Sequence, residues 1–162
     1  MNTKFLATSG IIAALYIAVT MLLAPLSFGA VQFRFAEVFN HLIVFSPKYA
    51  IGVIIGVFIS NALFSTLGVA DLIFGVGHTI ITFAIVLLVF KYVKNIWARL
   101  IINTGVFTAT MFIIAFQLNL VLELPFFETW LYLAIGESVV LIIGMPIMFA
   151  LNKRLQLAKF MK

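Results

Sequence analysis

Glu37, Asn40 and His41 stand at i, i+3 and i+4, a spacing that puts a carboxylate, an amide and an imidazole on one face of an α-helix. Such a face can accept and donate hydrogen bonds to a polar ring. Asp71, Gly75, His78 and Thr82 repeat the same helical period, and Asn61 and Ser65 are four apart. Glu137 stands alone, about ten residues inside the nearer end of its apolar stretch, or ~15 Å along a helix. Three polar stripes and one isolated carboxylate could together enclose a polar pocket. Each group also has a plainer use. Asn61, Ser65, Thr82, Thr104 and Thr108 could be hydrogen bonders between packed helices, Asp71 could cap its helix, and Arg34 with Glu37 could be a surface ion pair.

The elements that must position these groups follow from hydropathy. Of 162 residues 65% are hydrophobic and only 9% charged, and the mean hydropathy is +1.26. Uncharged stretches of about twenty residues recur, each long enough to cross a ~30 Å hydrocarbon core. An ordinary water-soluble domain is excluded, and an all-α membrane protein is expected. Helices are predicted over about 5–26, 35–46, 49–67, 70–90, 99–121 and 127–151 as one integral membrane domain. The first is longer than the 7–15-residue core of a signal peptide, and 35–46 is the shortest. Inside such a bundle each ionisable side chain costs roughly 2.5–3.5 kcal/mol on insertion scales. The acids are therefore functional candidates that face the interior.

With six crossings and a cytoplasmic N-terminus, Lys4, Lys48, Lys91, Lys94, Arg99, Lys153, Arg154, Lys159 and Lys162 all fall on the cytoplasmic side, and Arg34 alone falls outside. A competing arrangement makes 35–46 a re-entrant segment and leaves five crossings; its basic count is equally lopsided. Net charge +5 thus reads as topology and not as nucleic-acid binding. No cysteine is present, so disulfides, thiol chemistry and cysteine-held metal are excluded. A Walker-type phosphate loop is missing too, so any energised transport must be driven by partner subunits. His41 and His78 on different helices admit a haem-binding or structural subunit as a competing reading. Ser65 with His78 is a weak nucleophile and base pair with no surrounding signature. Two small-residue ridges bear on packing: Ala14-x-x-x-Ala18, with Gly10 one turn earlier, and Gly52-x-x-x-Gly56.

Three segments carry a resemblance. Ala24-Pro25-Leu26-Ser27-Phe28-Gly29 with Val31-Gln32-Phe33-Arg34-Phe35-Ala36-Glu37, then Gly56, Asn61 and Gly68-Val69-Ala70-Asp71-Leu72-Ile73-Phe74-Gly75, then Gly136-Glu137 and Gly144, resemble the queuosine-precursor transporter (QueT) family over nearly the whole chain. The resemblance implies the substrate-binding S component of an energy-coupling-factor importer in the plasma membrane. It implies six helices with both termini cytoplasmic, a shared transmembrane T subunit docking on Ala14 and Ala18, and two ABC ATPases that hydrolyse ATP on other chains. No catalytic residue, metal or cofactor in this chain is implied. The implied ligand is a deazaguanine base, with a vitamin-like ligand as the alternative for the same scaffold. Adjacent N–H donors on a guanine-like edge suit one carboxylate, Glu137 or Glu37; Asp71 or the remaining Glu would balance an aminomethyl cation. Asn61, Asn40 and Gln32 would serve the carbonyl and ring nitrogens, Phe33, Phe74 or Trp130 would stack, and the loop bearing Gln32 and Arg34 would close over the base. His41 and His78 are departures from the family pattern.

Overall fold

A chain this apolar satisfies its backbone within each segment, since lipid offers no hydrogen bonds, and helix is the local solution. The computed structural model describes residues 3–27 and 33–161, and these are helical and loop, with no strand. Helix α1 is Thr3–Leu22 and α2 the short Ala24–Ser27; a 3₁₀ helix, Phe35–Val44, follows. Then come α3 (Tyr49–Phe64), α4 (Val69–Phe90), α5 (Ile96–Thr110), α6 (Phe112–Leu122), α7 (Phe126–Leu155) and α8 (Leu157–Phe160).

Among the described residues four helices are long and apolar enough to cross a membrane: Thr3–Leu22, Val69–Phe90, Ile96–Leu122 and Phe126–Leu155. The third is α5 continued by α6. Their junction follows Thr110, whose hydroxyl donates to the carbonyl of Val106 at 2.9 Å and lies 3.1 Å from that of Phe107, a back-bonding that bends helices. Two predicted crossings are shorter than expected. The stretch predicted as 49–67 ends at Phe64, and 35–46 is not an α-helix at all. As a 3₁₀ helix, its ten residues rise ~2.0 Å each and cover ~20 Å where an α-helix would cover ~15 Å. That extra reach lets the segment run from Arg34, bonded to Asn61, to Val44, whose carbonyl meets Arg99.

The two glycines of α3 form an internal seam. A Cβ at Gly52 would lie 2.8 Å from the Ser9 carbonyl oxygen, and one at Gly56 2.7 Å from Tyr16 Cβ, so only glycine lets α1 and α3 approach this closely. Tyr16, Ile43, Val53, Val57, Leu100 and Phe107 fill the main core, and a smaller cluster gathers Met111, Ile114, Ala115, Leu118 and Leu133. Ala14 and Ala18 lie on the other side of α1 and are exposed, and a Cβ at Gly10 would meet nothing within 4 Å.

Basic side chains collect at one end. Arg99 lies with its guanidinium 5.0 Å over the Phe90 ring and donates to the carbonyls of Phe90 at 2.9 Å and Val93 at 2.6 Å. Lys48 donates to the Met161 carbonyl at 2.7 Å, and Tyr49 to that of Leu157 at 2.8 Å. Lys4 lines a small cavity there with Gln156 and Lys159. The polar residues singled out in the sequence lie deeper in the bundle and toward its other end.

Candidate functional site

The 3₁₀ geometry decides which polar groups meet. Three residues per turn bring i and i+3 into line and swing i+4 about 120° away. Glu37 and Asn40 accordingly touch, the Asn40 amide donating to Glu37 Oε2, while His41 leaves their face. This corrects the expectation of one shared face. His41 Nε2 sits 3.0 Å from the Leu141 carbonyl oxygen on α7, and its Nδ1 3.1 Å from Asn103 Nδ2 on α5. Gly144 makes room, since a Cβ there would lie 3.0 Å from Val38 and 3.3 Å from the His41 ring.

Glu37 is saturated. Besides Asn40 it accepts the Tyr16 hydroxyl at 2.7 Å, and the Arg34 guanidinium stands 3.4 Å away. All four side chains are buried, which makes this an interior ion pair and not the surface pair considered from sequence. Arg34 also donates to Asn61 Oδ1 at 3.0 Å, and Asn61 donates onward to the Asp71 carbonyl at 2.9 Å. Gly75 permits that packing, because a Cβ there would collide with the Asn61 amide. One network thereby ties α1, the 3₁₀ helix, α3 and α4 together.

Glu137 is the opposite case. It is fully buried, at 0% exposure, and neither carboxylate oxygen has a hydrogen-bond partner among the described residues. It lies within electrostatic reach of Glu37 and Arg34. Buried polar atoms in native proteins are almost always paired, which sets this carboxyl apart from that of Glu37. The other unpartnered amide atoms nearby share its character: Asn40 Oδ1 and Asn103 Oδ1, and toward α6 Gln117 Oε1, are all acceptors. An array of acceptors is complementary to a ligand rich in N–H groups.

The remaining candidates divide. Asp71 does not cap α4, whose first residues follow Gly68 without a side-chain cap; its carboxylate accepts from Ser65 and from Gln117, pinning α4 to α6. His78 Nε2 lies 3.0 Å from Thr110 Oγ1, which lies 2.8 Å from Thr82 Oγ1, so the α4 stripe faces inward as its spacing predicts. Ser65 and His78 have separate partners and form no nucleophile and base pair. With both His41 nitrogens engaged by the protein, the haem reading loses one of its two donors. No cluster of three metal-ligating side chains exists among the described residues. Phe74 and Trp130 join the smaller apolar cluster, Phe74 at 6.3 Å from Phe116 and Trp130 donating to the Ala109 carbonyl at 3.2 Å. Trp130 also lines an apolar cavity of about 420 Å³ with Ala109, Phe127 and Leu131. Phe33 stacks on Phe35 at 6.4 Å, and Gln32 lies outside the described residues. Sequence reasoning missed Tyr16, Asn103, Thr110 and Gln117. The last three fall at i, i+7 and i+14, a heptad stripe that the period could have disclosed.

Comparison with known proteins places the chain in a family. A family model described as QueT transporter matches residues 6–153. The chain belongs to the QueT transporter family. A Lactococcus lactis subsp. cremoris (strain MG1363) protein named queuosine precursor transporter QueT is 38% identical over 167 residues, covering 98% of this chain and 98% of that one. No solved structure matches. Membership makes this a multi-pass membrane transporter chain, and its fold buries Glu37, Asn61 and Glu137 in a polar interior with Asp71 half-buried beside them.

Proposed function

We propose that this chain captures a queuosine precursor, a deazaguanine base, and delivers it inward as the substrate-binding S component of an energy-coupling-factor importer in the plasma membrane. The observation that carries the reading is Glu137, a buried carboxylate with both oxygens unclaimed. The N1–H and exocyclic amine of a guanine-like ring supply two parallel donors to one carboxylate, a charge-assisted pairing stronger than a neutral hydrogen bond. Glu37 is already satisfied by Tyr16, Asn40 and Arg34, so the choice between the two carboxylates falls on Glu137. Asn40 stays in the ligand's shell through its free carbonyl oxygen. Asn61, Arg34 and Asp71 support the site from behind, because their polar atoms are largely committed to partners within the protein.

The 3₁₀ segment and α3 complete six crossings, with both termini cytoplasmic, in keeping with the concentration of lysine and arginine at one end. The ATP-driven step belongs to partners, a T subunit and two ABC ATPases, and Ala14 and Ala18 present the exposed small-residue ridge on which a partner helix can pack.

Binding and docking are separable. Purified protein in detergent is expected to bind 7-deazaguanine saturably in calorimetry, competed by its 7-aminomethyl derivative and not by biotin or riboflavin. Lack of 7-deazaguanine binding, or preference for a vitamin, overturns the assignment. Ala14→Leu with Ala18→Leu is expected to abolish uptake of labelled base by cells while leaving that binding within about two-fold, since the ridge touches no site residue; retained uptake removes the ridge from docking.

A further inference from the structure

His41 is a hub whose chemistry dictates the polarity of its neighbours. The Leu141 carbonyl, 3.0 Å from Nε2, can only accept, so in the neutral ring Nε2 carries the hydrogen and Nδ1 keeps a lone pair. Asn103, 3.1 Å away through Nδ2, must then turn its amino group toward His41. Its carbonyl oxygen is consequently directed elsewhere. That oxygen belongs to a side chain at 0% exposure and has no partner among the described residues.

The other bare acceptors lie on the elements that meet at this ring. Asn40 adjoins His41 in the 3₁₀ helix, and Leu141 is one helical turn beyond Glu137 on α7, which puts the Cβ atoms of 137 and 141 about 5–6 Å apart. Three elements meeting at one imidazole therefore carry four unpartnered oxygens: Asn40 Oδ1, Asn103 Oδ1 and both of Glu137. We infer that Asn103 is a specificity-determining residue whose Oδ1 accepts an N–H of the bound base, and that His41 is the positioning residue that keeps this oxygen an acceptor. The assignment of that N–H rests on the proposed function. When Glu137 spans N1–H and one hydrogen of the exocyclic amine, the amine's second hydrogen is left for Asn103. A ring with a carbonyl or no substituent at that position is rejected, because it leaves the oxygen buried and unpaired.

The test compares 7-deazaguanine with 7-deazahypoxanthine, which lacks the amine, by calorimetry on purified protein. Wild type is expected to favour 7-deazaguanine. Asn103→Leu, or the smaller Asn103→Ala, is expected to weaken 7-deazaguanine about ten-fold, the scale of one lost hydrogen bond in a buried site. 7-Deazahypoxanthine should stay within about two-fold, which also reports an intact pocket. His41→Leu is expected to collapse the preference in the same way. His41→Gln, which keeps one donor for Leu141 and one acceptor for Asn103, is expected to restore it. Equal loss of both bases in both Asn103 variants, an unchanged preference in either, or failure of His41→Gln to rescue overturns the inference while the transport assignment stands. Wild type that binds no deazaguanine overturns both.

Discussion

Glu37 and Glu137 are both buried, lie within electrostatic reach of each other and Arg34, and differ in everything the protein gives them. Glu37 receives a phenol, an amide and a guanidinium. Glu137 receives nothing among the described residues. A carboxylate so fully served holds helices together, whereas one left bare raises the energy of the empty protein and is relieved when donors arrive. Under the proposed function the difference separates architecture from recognition within one polar interior, and substitutions at the two sites should diverge accordingly.

The largest effect is expected at Glu37. Glu37→Ala removes the carboxylate that faces the buried Arg34 guanidinium and cuts the link from α1 to the 3₁₀ helix. Breaking a buried pair in this way costs ~3–5 kcal/mol, which for a chain of this size is on the order of 10 °C in Tm. Thermal unfolding of the empty protein in detergent measures it. A Tm unmoved by Glu37→Ala would erase the contrast on which the two roles depend.

Glu137→Gln should produce the reverse pattern. Affinity for 7-deazaguanine is expected to fall about 10- to 100-fold, the cost of a lost charge-assisted pairing. The Tm of the empty protein should hold or rise, because a buried carboxyl with no partner among the described residues is replaced by an amide of the same shape. Calorimetry and unfolding on the same preparation read both. If Glu137→Gln destabilises the empty protein as Glu37→Ala does, Glu137 is another structural acid and its assignment to the ligand fails.

How far these roles were legible depends on the local helix. On α4 the inward stripe of Gly75, His78 and Thr82 could be read directly, since a regular α-helix obeys the 3.6 period. Glu137 announced itself because a lone acid in an apolar span demands a reason. The segment at 35–44 misled because helix type is not written in hydrophobic periodicity over ten residues; a change from 3.6 to 3.0 residues per turn moved His41 to α5 and α7. Asn103 and Gln117 escaped notice because neutral amides carry a smaller insertion cost than acids and so stand out less. Phe74 and Trp130 could not be sorted by sequence, as aromatic residues make up 15% of the chain and most of them pack or face lipid. Gly52 and Gly56 were separable from Ala14 and Ala18 only once α3 was seen against Ser9 and Tyr16.

The smallest expected effect sharpens the comparison most, because it touches one atom. Tyr16→Phe removes the hydroxyl that lies 2.7 Å from Glu37 Oε1 and keeps the ring that seats on Gly56, so packing between α1 and α3 survives. Arg34 remains 3.4 Å from the same oxygen, and the loss should be limited to about 1 kcal/mol, a few degrees in Tm. In a Glu37→Ala background the same substitution should cost nearly nothing, since the hydroxyl has lost its acceptor; a double-mutant cycle isolates that coupling. Affinity for 7-deazaguanine should stay within about two-fold. If Tyr16→Phe instead weakens binding more than it lowers Tm, the Glu37 network reaches the ligand, and the division between a holding carboxylate and a receiving one has been drawn in the wrong place.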